Sequence, residues 1–154
     1  MGAQLSSNFV ESLVGPLAID ISEGYLVRVY PRNAQNTLSR SKKWSQLINR
    51  LLKNQISSRD IPFQLQGTEF QVQVWKQVMR IPYGQTETYQ GIARLINREK
   101  AYRAVGQALN RNPLLLVVPC HRVISKTGQL TGFAGGIGMK KRLLEYEARV
   151  IEKA

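Results

Sequence analysis

The stretch SSRDIPFQLQG, residues 57–67, divides the chain, because Pro62 and Gly67 interrupt any helix or strand that would run through it. The two sides differ in hydrophobic pattern. Before the break, PLAIDISEGYLVRVY (16–30) predicts two strands around a Ser-Glu-Gly turn. Residues 42–57 carry Trp44, Leu47, Ile48, Leu51 and Leu52 at helical spacing, with Lys and Arg on the opposite face. After the break, Phe70, Val74, Trp75 and Val78 form one apolar helix face that Pro82 and Gly84 terminate. The expected class is α+β, with a small α/β domain at 1–60 followed by a mostly helical domain at 61–154. A chain of 154 residues can bury a core in either one domain or two small ones.

The segment TETYQGIARLINREKAYRAVGQALNRNP (86–113) narrows the second half further. Tyr89, Ile92, Ala93 and Ile96 share one apolar face, and Ala101, Ala104, Val105, Ala108 and Leu109 share another. Two short helices joined by a polar turn of about four residues make a helix-turn-helix pattern, which an ordinary helical hairpin also satisfies. On the second helix, Arg103, Gly106 and Asn110 fall opposite the apolar set. That outward face holds no acid. The whole chain has 22 Lys and Arg against 10 Asp and Glu, a formal net charge of +12. From 94 to 126 the bases Arg94, Arg98, Lys100, Arg103, Arg111, Arg122 and Lys126 are opposed by Glu99 alone. Such a balance points to a polyanion, with nucleic acid the usual partner.

The sole cysteine, Cys120, is followed directly by the sole histidine, His121, in VPCHRVI (118–124). One cysteine excludes an internal disulfide, and one of each excludes a four-ligand structural zinc site, so the metal expectation is none. No apolar run reaches membrane-spanning length and no export signal is visible, which suggests a cytoplasmic protein. The run LLLVV (114–118) predicts a buried strand leading into Pro119. A lone cysteine there is either a small buried hydrophobe or a nucleophile activated by its neighbour. Adjacent strand residues point to opposite faces, so cooperation requires a sharp turn, which Pro119 permits. Glu147, on a predicted terminal helix with Leu143 and Leu144, is the candidate to orient the imidazole.

PCHRVI, preceded by RNP and by TYQGIA and RAVGQAL, and followed by GFAGG and LLEYE, resembles the O6-alkylguanine-DNA alkyltransferases (methylated-DNA–protein-cysteine methyltransferases). The resemblance runs from about residue 66 to 150, and residues 1–60 carry no comparable motif. It implies irreversible, stoichiometric transfer of an alkyl group from O6-alkylguanine in double-stranded DNA to Cys120, with the base flipped out of the helix and no cofactor. It implies His121 as a base acting through water, Glu147 as its anchor, Asn112 as a brace of the turn, and Tyr89 as proton donor to the leaving base. Arg103 would fill the gap left by the base in the minor groove. Tyr89, Ala101, Gly106, Asn110, Arg122 and Lys126 would join it at the DNA. Val123, Phe133, Ala134 and Leu115 would line the substrate pocket. Phe133 and Ala134 stand where many relatives have tyrosine and some a following serine, and Leu115 where some have proline. A monomer without membrane association is implied.

Three other classes compete. A non-enzymatic damage sensor of this fold lacks the acceptor cysteine that is present here. A transcriptional regulator would show several base-reading side chains and a dimer interface. A thiol hydrolase would hold Cys and His on separate elements, with an oxyanion hole.

Overall fold

The computed structural model describes residues 5–32, 37–130, 133 and 135–153. These form two compact units, one comprising 1–66 with 113–117, the other 67–112 with 118–154.

The first unit is built on an antiparallel meander of β1 (Leu5–Ser12), β2 (Gly15–Ser22) and β3 (Tyr25–Pro31) in that order. The predicted strand pair is present. Its turn places Glu23 at φ 52° and Gly24 at φ 84°, so both central residues are left-handed, as a tight hairpin between twisted strands requires. β1 was not predicted. Its sequence LSSNFVES is mostly polar and only Val10 within it is fully buried. The helix α1 (Lys42–Leu52) buries Trp44, Ile48 and Leu52 and is capped by the Ser41 hydroxyl. It ends earlier than the spacing suggests, because Asn54 turns left-handed at φ 60°. Asn49 of α1 joins the end of β1: its Oδ1 accepts from Leu13 N at 2.9 Å and its Nδ2 donates to Glu11 O at 2.9 Å.

The run 114–117 is buried, as predicted, but it is not a strand. Leu114 makes an isolated parallel bridge to Val29, with Val29 N donating to Pro113 O at 2.8 Å and Leu115 N to Val29 O at 3.4 Å. Leu116 then adopts φ 74°, which breaks the extended path before a ladder can form. Apolar character specified burial here, and the backbone reversal decided the conformation.

The second unit holds α2 (Glu69–Val78), β4 (Glu87–Thr88), α3 (Tyr89–Leu95), α4 (Tyr102–Asn110), β5 (Val123–Ile124) and α5 (Ile137–Glu152). α2 opens on a reciprocal cap between Thr68 and Gln71. α3 and α4 are the expected helix pair, joined through left-handed Asn97 and a 3-10 turn, Glu99–Ala101, so the connection is longer than predicted. Their inner faces meet α2 in a core that includes Val74, Val78, Ile92, Ala93, Val105 and Leu109. Trp75 seals it, its indole N–H donating to Ala108 O of α4 at 2.8 Å. β4 and β5 pair in parallel over two residues, Glu87 with Val123 and Thr88 with Ile124. That short pairing fixes the chain leaving the Cys120 turn beside the start of α3. Among the described residues no helix is long and apolar enough to cross a membrane.

Replacing Trp75 by Phe removes the donor to Ala108 and leaves a void in this core. The expected cost is about 2 kcal/mol, read as a lower urea midpoint with unchanged slope. An unchanged midpoint would deny Trp75 its role between α2 and α4.

Candidate active site

Pro119 is followed by a 3-10 turn, Cys120–Arg122, and this is the sharp bend that lets adjacent side chains act in one site. Cys120 is 3% exposed and His121 2%. Asn112, at the end of the turn after α4, binds the bend from the other side. Its Nδ2 donates to Val118 O at 3.0 Å and contacts Cys120 Sγ at 3.1 Å. Asn112 therefore fixes both the backbone that delivers the cysteine and the sulfur itself.

The His121 ring is held by α5. Nε2 donates to Glu147 Oε2 at 2.5 Å, and the ring meets Phe133 edge-on at 6.4 Å between centroids. Nδ1 is buried with no hydrogen-bond partner among the described residues. Glu147 receives more than the histidine. Arg122 donates from Nε to Oε1 at 2.8 Å and from Nη2 to Oε2 at 3.0 Å, and Gly84 N donates to Oε1 at 3.0 Å. The remaining Arg122 nitrogen, Nη1, donates to Ile81 O at 2.9 Å.

Electrostatics follow from burial and these partners. Burial alone would raise the Glu147 carboxyl, but the donors and charges of His121 and Arg122 outweigh it and bring it down to about 2. Burial holds the His121 imidazole below its ordinary value against the pull of Glu147, whose charge Arg122 already neutralises. The ring is thus neutral, protonated on Nε2, with the Nδ1 lone pair available as a base. Burial pushes the Cys120 thiol up to about 11, opposed by the Asn112 donor and by the charge of Lys140. At rest the site holds a thiol beside a neutral base.

Glu147, His121, Cys120 and Asn112 are therefore brought together, with Val123 and Phe133 buried nearby in the same unit. Leu115 belongs to the segment 113–117 that folds with the first unit. Ala134 lies outside the described residues. Arg122, expected at the DNA, makes its contacts within the protein. Its guanidinium is spent on Glu147 and Ile81 and lies 5.2 Å from the Tyr83 ring centre, so it braces the site from within. Lys140 and Gly84 escaped the sequence reading. The spacing of Lys140 to Leu143 and Glu147 places it on the buried face of α5. Among the described residues no three His, Cys, Asp or Glu cluster as a metal site.

A second feature lies on the outer side of α4. Tyr89, Arg103, Gly106, Asn110 and Lys126 line one open concavity. Ala101 lines a separate shallow one with Arg98, Glu99 and Lys100. A Cβ built on Gly106 would meet nothing closer than the Tyr89 ring at 3.8 Å, so the protein's own packing does not demand glycine there.

The model of the 6-O-methylguanine DNA methyltransferase DNA-binding domain matches residues 69–149. The chain is 35% identical over 150 residues to a methylated-DNA–protein-cysteine methyltransferase of Methanosarcina barkeri, covering 91% of this chain and 95% of that protein. It is 48% identical over 102 residues to the inducible methylated-DNA–protein-cysteine methyltransferase of Bacillus subtilis, covering 66% of this chain and 57% of that protein. The solved structure of Mycobacterium tuberculosis OGT in complex with DNA superposes with TM-score 0.80 at 35% identity, covering 94% of this chain and 93% of that one. The fold and the matched family define a DNA-repair class with a helix-turn-helix. The chain belongs to the methylated-DNA–protein-cysteine methyltransferase family.

The ionisation pattern sets an acid dependence. Folded His121 binds fewer protons than an exposed imidazole, and folded Glu147 fewer than an exposed carboxylate. Stability present at neutral pH is therefore lost as pH falls, first below 6.5 and again from 4.5 down to about 2. The urea midpoint should drop between pH 7.5 and 5.5, and His121→Gln should flatten that part of the curve. A midpoint independent of pH in the unmodified chain would contradict a neutral buried His121.

Proposed function

We propose that this chain repairs DNA by taking an alkyl group from O6 of guanine onto Cys120, once per molecule. The observation that carries the reading is the buried sequence of Asn112, Cys120, His121 and Glu147, in which a thiol lies next to an imidazole whose free nitrogen is unbonded. In the reaction the Cys120 proton passes to His121 Nδ1 through a water. The thiolate then attacks the alkyl carbon, forming S–C as C–O breaks, and the electron pair leaves with the guanine. A proton from the Tyr89 hydroxyl to the departing base neutralises it. Glu147, held as a carboxylate by Arg122, stabilises the imidazolium formed on the way.

The target oxygen is stacked within a duplex, so the nucleotide must rotate out. The exposed face of α4 suits that step. Arg103 is exposed at its N-terminal end and Gly106 leaves room for a close backbone. Lys126 and Asn110 flank them for phosphate or sugar contacts. The OGT of Mycobacterium tuberculosis has been solved with DNA, which supports DNA as the partner here. The chain acts as a monomer, without a cofactor, in the cytoplasm. Phe133 meets the His121 ring edge-on and offers no side-chain hydroxyl to an extruded base.

Incubation with duplex carrying isotopically labelled O6-methylguanine should place one equivalent of label on Cys120 and then stop, with chelators without effect. Cys120→Ser should take up none while binding DNA nearly normally. Repeated turnover, or label elsewhere, would sink the proposal. A separate expectation concerns extrusion. Arg103→Ala should slow transfer from duplex at least about tenfold more than transfer from free O6-benzylguanine, equivalent to about 1.4 kcal/mol. Equal losses on both substrates would remove Arg103 from that step.

A further inference from the structure

The turn before β4 grips both members of the Arg122–Glu147 ion pair. Gln85 N donates to Pro82 O at 3.1 Å, which closes a tight turn with Tyr83 and left-handed Gly84 at its centre. Three contacts come from this bend and the residue before it. Ile81 O accepts from Arg122 Nη1 at 2.9 Å, and Gly84 N donates to Glu147 Oε1 at 3.0 Å. Between them, the ring centre of Tyr83 lies 5.2 Å from the guanidinium carbon of Arg122. The cation thus meets an acceptor and an aromatic face, while the anion meets a donor, all from residues 81–84.

Tyr83 is half-buried, whereas the side chains of Arg122 and Glu147 are only 13% and 4% exposed. A guanidinium over an aromatic face is attracted by the ring quadrupole, and the ring keeps water from that side. Burial, with the nearby charge of Glu147 and Tyr146, holds the Tyr83 hydroxyl protonated, against the weaker pull of Arg122. The ring is therefore a neutral surface throughout the working pH range. The charged and titratable groups acting on His121 are Glu147 and Lys140 of α5 and Arg122 and Cys120 of its own turn. Of these, Arg122 touches both the Tyr83 ring and the carboxylate that holds the imidazole. We propose that Tyr83 is a positioning residue: its ring seats Arg122 on Glu147 and so keeps a second proton off His121. The inference rests on His121 being the base that receives the Cys120 proton. If Arg122 were loosened, Glu147 would regain its pull on a proton, and an imidazolium could not accept one from the thiol.

His121 is the sole histidine, so its Cε1 proton resonance titrates without overlap, and no DNA is needed. Tyr83→Leu keeps an apolar cover but removes the aromatic face. Its His121 midpoint should rise by about half a unit, the roughly threefold change in equilibrium that a half-exposed cation–π contact supplies. Tyr83→Phe keeps the face and should leave the midpoint in place. Tyr83→Met, also without a ring, should match the Leu variant and serves if that one does not fold. The acid limb of the rate of transfer from free O6-benzylguanine should move upward by the same half unit. A merely structural role would lower the melting temperature of the Leu variant without moving the midpoint, and that result would overturn the proposal. So would a Phe variant that shifts as far as the Leu variant. Because the midpoint is read without an alkyl donor, its failure is distinguishable from a failure of alkyl transfer.

Discussion

The carboxylate of Glu147 is the point on which the second unit's site depends. Four donors converge on it: the His121 ring, two nitrogens of Arg122 and the backbone of Gly84. They come from the Cys120 turn and from the turn at 82–85, so one side chain of α5 ties together two loops that have little regular structure of their own. Gly84 shows how tight the tie is. It is left-handed at φ 80°, and an added Cβ would lie 2.4 Å from Ile151 of α5. Both conditions require glycine, and both keep its N–H on Glu147.

The same carboxylate explains why the site is quiet at rest. A buried anion would ordinarily draw a proton onto an adjacent imidazole. Here burial, aided by the compensating charge of Arg122 on Glu147, keeps His121 neutral and its Nδ1 basic. Burial meanwhile keeps the cysteine as a thiol. A thiol at rest resists adventitious oxidation and alkylation, since the thiolate is the reactive form. In the proposed reaction, reactivity arises when the proton is passed on, which places chemical selectivity in the geometry of the bend and less in a permanently activated sulfur.

Outside the pocket the constraint reverses. The inner faces of α3 and α4 are packed, while the outer face of α4 carries Arg103, Gly106 and Asn110 without an intramolecular demand on any of them. Gly106 is the clearest case, since an added Cβ would make only ordinary van der Waals contact with the Tyr89 ring at 3.8 Å. A residue the fold does not require is one whose identity is free to serve an external surface, and the basic flank at Lys126 and Arg103 gives that surface its sign.

The amino-acid order alone pointed to the strand pair around Glu23, the helix pair of α3 and α4, and the grouping of Cys120, His121, Asn112 and Glu147. Those features rest on local pattern: alternation, 3.6-residue spacing, a tight turn, and a motif dense enough to carry a family resemblance. Tertiary structure decided what local pattern cannot encode. β1 exists because β2 and the flank of α1 supply hydrogen-bond partners for a polar segment. The run 114–117 is buried without becoming a strand because Leu116 reverses the backbone. Arg122 was expected at the DNA, and Lys140 drew no reading of its own, because charge predicts exposure. The Glu147 carboxylate and the carbonyls of Ile81 and Val123 receive their nitrogens in the folded chain, and a charge can be enclosed only where the fold replaces its water.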